Sequence, residues 1–226
     1  MLKHGQVELK ERIPWSSNAT FLTTVRHEGT EVLAIYKPER GERRLWDFAP
    51  GLWRREVAAY ELDSFLGWGL VPPTAPRQHG PLGRGSLQLY IDGVYAEHYF
   101  TLVKQNRHRR VLQKIAAFDL VANYADRKSG HLLLGEDARV WAIDHGLCFH
   151  VLPKLRTVIW DFAGQPLSPK LLAGLKLLAE GVMPETLVGL LAEAEIAALA
   201  QRAAAVVKSG VLPEPSGGSF LPWPLI

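Results

Sequence analysis

The strongest constraint on this chain is the order of its segments: strand-forming runs come first and helix-forming runs follow. Residues 20–26 (TFLTTVR) and 31–36 (EVLAIY) are β-branched and aromatic, and residues 27–30 between them read as a hairpin turn. Pro38, after Lys37, closes the second strand because proline cannot donate to a ladder. A loop over 39–51 leads into a helix over 52–66. There Val57, Ala58, Leu62, Phe65 and Leu66 recur at helical spacing, and Gly67 supplies a stop. A Pro/Gly-rich passage, 71–85, precedes a short apolar strand over 86–91, and Asp92-Gly93 turns the chain at a junction between lobes.

The remainder reads as mainly helical. Residues 110–124 place Val111, Ile115, Phe118 and Val121 on one buried face. Residues 131–134 and 139–143 form a second hairpin around residues 135–138. Ser168-Pro169 is an N-cap followed by proline at the first helical position. That helix ends near Gly181, another begins at Pro184, and an Ala/Leu-rich helix spans 193–208. The proline-rich tail from Pro213 is expected to pack as an irregular strap. Strands followed by helices make an α+β chain, with a strand-rich N-lobe (1–91) and a mainly helical C-lobe (92–226).

Composition bounds the partners. The 226 residues suffice for one large domain or two small lobes around a cleft, and a formal charge of +3 permits a phosphate-bearing ligand without calling for nucleic acid. A single cysteine, Cys148, excludes an internal disulfide framework and fits a reducing compartment. The first twelve residues are mostly polar, unlike a secretory signal, and apolar runs fall far short of the ~20 residues of a membrane helix. A cytoplasmic protein without membrane insertion is expected.

Chemistry concentrates in two runs, 123–131 (NYADRKSGH) and 141–146 (WAIDHG). The first precedes a strand of the second hairpin and the other ends its partner, so Asp126, His131 and Asp144 should converge. Two carboxylates and an imidazole crowded together favour a cation between them. On the hairpin alone, a metal site and an ordinary ion-paired turn are equally good readings. Lys37 tips the balance: it ends an apolar run where a lone ammonium is costly, and Glu56 lies near the start of the following helix. A strand lysine paired with a helical glutamate is how kinases hold nucleotide phosphates.

Together, AIYKP (34–38), REVAAY (55–60), NYADRKSGH (123–131) and AIDHGLCF (142–149) resemble the landmarks of the phosphatidylinositol 3-/4-kinase-like superfamily. More closely, they resemble a group of small bacterial kinase-like proteins assigned to it, over about residues 16–162. The resemblance implies a two-lobed protein-kinase-like fold and ATP-dependent phosphoryl transfer to a hydroxyl-bearing acceptor. Lys37 would contact the α/β-phosphates, with Glu56 orienting it. Asp126 would position or deprotonate the acceptor, Arg127 would brace the catalytic loop, and Asp144 would hold Mg²⁺ or Mn²⁺. Ser16, Ser17, Asn18 and Thr20 sit where a phosphate-covering turn belongs. Gln88, Leu89 and Tyr90 fall at the adenine-contacting hinge, where the backbone of Leu89 and Tyr90 would read the base.

The chain departs from that pattern in two places. His131 stands where the family has an asparagine metal ligand, which brings Mn²⁺ alongside Mg²⁺. The covering turn also lacks a glycine-rich sequence. These departures keep two alternatives open: a pseudokinase that senses nucleotide and regulates a partner, and an AMP transferase. Other signals read as structural. The basic stretch 104–114 is taken as the solvated start of a helix, and Asp119 as a hydrogen-bond partner of the loop backbone. Cys148 is a packed hydrophobe, His145 holds an apolar packing position, and Trp46, Trp53 and Trp68 pack around the first helix.

Overall fold

The computed structural model describes residues 1–14, 16–94, 96–215 and 219–226. Five strands form one antiparallel sheet in the order β1-β2-β3-β5-β4: β1 (Gln6–Arg12), β2 (Phe21–His27), β3 (Thr30–Pro38), β4 (Thr74–Gly80) and β5 (Gly83–Leu89). The hairpin between β2 and β3 turns at Glu28 and Gly29, both at positive φ, and its register runs unbroken from His27↔Thr30 to Phe21↔Tyr36. That register puts Val25, Ala34, Tyr36 and Leu87 together on the buried side of the sheet.

Two strands lie where the sequence suggested none. β1 was read only as a polar N-terminus, because an edge strand buries little and its charged residues stay in water. β4 and the first half of β5 fall within the Pro/Gly-rich passage, so the expected strand at 86–91 begins earlier and ends at Leu89. Pro76 and the glycines of β5 are tolerated here. β4 is an edge strand, and Gly85 packs against the backbone of Lys37 and Pro38, leaving no room for a Cβ.

Helix α1 (Leu52–Leu66) follows the long loop and ends on Gly67 in the left-handed conformation. Its start is capped by Glu42, whose carboxylate accepts from the Gly51 and Trp53 N–H groups at 2.8 and 2.9 Å. It is buried on more than one face, because it packs on the sheet and also on the helical part. Polar Arg55, Glu56 and Asp63 are buried within it, and each is hydrogen-bonded.

The helical part comprises α2 (Tyr99–Leu102), α3 (Arg109–Ala122), α4 (Pro169–Ala179), α5 (Glu185–Val188) and α6 (Glu193–Ser209), with the short hairpin β6 (Leu132–Leu134) and β7 (Val140–Ala142). Ser168 caps α4 and Pro169 opens it, as the sequence indicates. The helix expected from Pro184 is a single turn. Leu62, Leu112, Ile115, Phe118, Leu175 and Leu199 form the main core beneath α1. The α+β architecture expected from segment order is the one observed. No helix among the described residues is long and apolar enough to cross a membrane.

The C-terminal tail lies across the helical part as a strap. Phe220 O accepts from Thr157 N at 3.1 Å and from the Trp160 indole at 3.2 Å, and Leu225 O accepts from Ser129 N at 2.8 Å. The tail's residues 216–218 lie outside the described residues. Trp53 and Trp68 are buried in and beside α1 as expected, but Trp46 is 94% exposed, its ring meeting the Lys154 ammonium at 5.4 Å. It stands on the 39–51 loop.

Candidate active site

Lys37, near the end of β3, reaches into the space between the sheet and the helical part. Its ammonium bonds Glu56 of α1 and, at 2.5 Å, Asp144 just after β7. Three segments far apart in sequence thus meet on one cation. Burial alone would lower the lysine pKa, but the charges of Asp144 and Glu56 outweigh it and hold the ammonium firmly protonated. Burial likewise acts to raise the Asp144 carboxyl, and the Lys37 ammonium reverses that, holding it well below the usual carboxylate range. Glu56 uses its second oxygen to accept from His145 N at 2.9 Å, which locks α1 to the turn after Asp144.

Asp144 adopts a left-handed backbone, φ 64°, a conformation few non-glycine residues hold. Tyr124 stabilises it by donating its hydroxyl to the Asp144 carbonyl, and the turn directs the carboxylate into the cleft. Tyr124 also contacts His131 Nδ1 at 3.0 Å and lies under the Arg127 guanidinium, 4.3 Å from ring centroid to Cζ. Sequence reasoning gave Tyr124 no role, although its place two residues before Asp126 was a signal.

Asp126 lines the same cleft, with Lys128 Nζ 3.2 Å from its carboxylate. Burial raises its pKa, Lys128 opposes this, and nearby Asp144 adds to it. Arg127, expected to brace the catalytic loop beside Asp126, is fully buried. Its guanidinium bonds Asp119 at 2.8, 2.9 and 3.2 Å, donates to Ile143 O at 2.9 Å and His131 O at 3.3 Å, and donates to His145 Nε2 at 2.9 Å. Arg127 is therefore the brace that fixes the Asp126 loop against β7. Asp119 serves the loop through this side chain, not through the backbone bonds expected of it. His145 packs between Phe118 and Tyr124, and burial keeps it neutral.

The covering turn is tied to the sheet's far loop. Ser16 and Thr20 share a hydroxyl hydrogen bond of 2.8 Å, Asn18 Oδ1 accepts from Arg43 N at 2.8 Å, and Ala19 N donates to Gly41 O at 2.8 Å. Ser17 and Asn18 line the cleft with Lys37, Glu56, Asp126 and Asp144. The residues expected at the hinge lie at the end of β5 and directly after it. Gln88 is buried and donates to Thr74 Oγ1 at 2.9 Å, Leu89 N donates to Pro73 O, and Tyr90 N donates to Leu33 O. These N–H donors are engaged by neighbouring backbone carbonyls and the Thr74 hydroxyl.

The crowding argued from the hairpin is real, but lysines relieve it: Lys37 neutralises Asp144 and Lys128 neutralises Asp126. Among the described residues, no three His, Cys, Asp or Glu side chains gather to hold a metal by themselves. What remains is a pair. His131 Nε2 lies 3.4 Å from Asp144 Oδ2, and burial pushes the imidazole down to about 4, so it stands neutral, the form that ligates metals. One carboxylate oxygen and one imidazole fit a divalent ion that completes its shell with phosphate oxygens and water.

A sheet lobe, a helical lobe and a cleft built on Lys37, Glu56, Asp126 and Asp144 define a class of α+β protein with an ion-paired interlobe site. The chain belongs to the family of Protein Rv2133c of Mycobacterium tuberculosis, with which it is 38% identical over 99% of its own length and 94% of that protein's. It is also 31% identical to phosphatidylinositol 4-kinase gamma 4 of Oryza sativa subsp. japonica over 51% of this chain, and that alignment spans only 24% of the rice protein. Half of the chain is thus similar in sequence to a segment of a kinase. The crystal structure of the Helicobacter pylori proinflammatory kinase CtkA superposes with a TM-score of 0.48 at 12% identity, covering 93% of this chain and 94% of that one. No family model matches the chain.

Proposed function

We propose that this protein is an ATP-dependent phosphotransferase that moves the γ-phosphoryl group to a hydroxyl acceptor, with the nucleotide held between lobes at 1–91 and 92–226. The observation that carries this reading is Lys37, shared between a helical glutamate and the aspartate after β7, in one cleft with Asp126. The half-chain similarity to a phosphatidylinositol 4-kinase supports it, and so does membership of the phosphatidylinositol 3-/4-kinase-like superfamily suggested by the motifs. Lys37 would neutralise the α/β-phosphates while Glu56 keeps it aimed. Asp126 would orient the acceptor hydroxyl and take its proton as the acceptor oxygen bonds to the γ-phosphorus. The bond to the β,γ-bridging oxygen breaks and ADP departs with its electron pair. Mg²⁺ or Mn²⁺ held by Asp144 and His131 would supply positive charge across the phosphates. Positioning and electrostatics do the remaining work.

Calorimetric titration of ATP with Mg²⁺, with Mn²⁺ and with neither tests this. Asp144→Asn, which tolerates the left-handed turn, should lose metal-dependent binding. Asp126→Ala should keep binding and lose turnover by roughly 100-fold or more. Absence of ATP binding under every metal condition would refute the proposal. Tight binding with no transfer to any acceptor would favour the nucleotide-sensing alternative, and a product heavier by AMP would favour the other.

A further inference from the structure

A second cavity lies beside the catalytic cleft. It is an open concavity of about 630 Å³, walled by the 39–52 segment together with Gly83 and Arg84. Glu42, Arg43, Leu45 and Leu52 line both it and the cleft, so the two spaces adjoin along these residues. The segment is pinned. Glu39 holds the Trp53 indole at 2.9 Å and the Arg84 guanidinium, Glu42 caps α1, and Asn18 holds Arg43 N. Phe48 and Leu52 are buried in its floor and Leu45 is half-buried.

Both acids on this wall are engaged, Glu39 by Arg84 and Glu42 by the start of α1. Arg40, Arg43 and Arg44 have no carboxylate partner among the described residues, and they leave the wall net positive over an apolar floor. A volume of this size suits a small molecule, and a guanidinium cluster suits a carboxylate or phosphate presented on an apolar body.

We infer that this cavity is the acceptor site, and that it takes an anionic hydroxyl compound whose carboxylate or phosphate meets Arg40, Arg43 and Arg44 while its hydroxyl enters the cleft at Asp126. The inference rests on the phosphotransferase reading, and it names the acceptor class that this reading leaves open.

The test uses the full chain and labelled ATP. Acceptors are offered in matched pairs: 4-(hydroxymethyl)benzoate with benzyl alcohol, glycerol 3-phosphate with glycerol, and phosphatidylcholine vesicles carrying phosphatidylinositol with the same vesicles carrying a neutral galactosyl lipid. The soluble and vesicle arms tell a free anion from a lipid headgroup. An anionic member of a pair should be labelled at least tenfold faster than its neutral partner. Arg40→Gln/Arg44→Gln should erase that preference by raising the acceptor KM, with the KM for ATP unchanged. Ala49→Phe, which narrows the cavity without touching a charge, should raise the acceptor KM alone. Equal labelling within every pair, no labelling of any anionic member despite ATP binding, or a tenfold rise in the ATP KM of the arginine variant would each overturn the inference. Failure of ATP to bind at all would instead sink the phosphotransferase reading.

Discussion

Replacing Asp119 by alanine strands the Arg127 guanidinium in the core with its strongest partner gone. Both side chains are fully buried, and three of the guanidinium's contacts, at 2.8 to 3.2 Å, go to this one carboxylate. The carbonyls of Ile143 and His131 and the ring of His145 remain, but none carries charge. Removing one partner of a buried ion pair costs roughly 3–5 kcal/mol, because the other charge is left without compensation. In a chain of this size about 1 kcal/mol lowers Tm by roughly 2–4 °C, so Asp119→Ala should fall by about 6–20 °C. Scanning calorimetry, with urea unfolding to confirm an unchanged m-value, reads this directly. The double replacement Asp119→Leu/Arg127→Met, which removes both charges together, should regain much of the loss. A fall of under 3 °C for the single variant, or a double variant worse than the single by several kcal/mol, would refute the assignment of Arg127 and Asp119 as a mutually dependent brace.

Other expectations follow from the same geometry. Asp63 is buried, accepts from Leu70 N and Val71 N, and burial pushes its pKa up to about 6 from the unfolded value near 3.8. The folded state therefore holds the extra proton, so Asp63's stabilising contribution is full below about pH 4 and is lost as pH rises through 6. Relative to Asp63→Asn, the wild type should lose roughly 2 kcal/mol of urea-measured stability between pH 4 and pH 7; parallel pH profiles would contradict this. Arg55→Gln removes the α1 tie to Glu195 of α6 and weakens its bond to the Cys148 carbonyl, so kcat should drop more than ATP affinity. Equal effects on both would point to simple unfolding. Trp46→Ala should leave thermal stability within about 0.5 kcal/mol of wild type, because the side chain is 94% exposed.

Local rules were legible wherever one physical cause acted alone. Gly67 ends α1, Ser168-Pro169 starts α4, and the β2–β3 turn lies at Glu28 and Gly29, each because a single backbone conformation demands a particular residue type. The lysine–glutamate pairing and the approach of Asp144 to His131 were also readable, since strand ends and hairpin bases converge by construction. Partner choice was not readable. Whether Asp119 serves a backbone or a guanidinium, and whether Leu89 N–H faces a cleft or Pro73, depends on segments distant in sequence. The edge strands β1 and β4 were hidden for a related reason: strands with one neighbour and one wet side need little hydrophobic pattern to form. The crowded carboxylates were right in position, yet their counter-charges came from lysines that periodicity could not place.

The sharing of Lys37 has a consequence for what the cleft will admit. One ammonium answers to two carboxylates, and the second lysine is engaged with Asp126, so three acids face two lysine cations. On the phosphotransferase reading, a bare polyphosphate arrives at a surface already in deficit of positive charge, and Coulomb repulsion at short range opposes its entry. A nucleotide escorted by its own dication carries two fewer net negative charges and meets a lower barrier, and Asp144 becomes a point of attachment. The cleft would thereby discriminate by loading state ahead of any contact with the base, acting as a turnstile that opens to the metal complex and stays shut to the free anion.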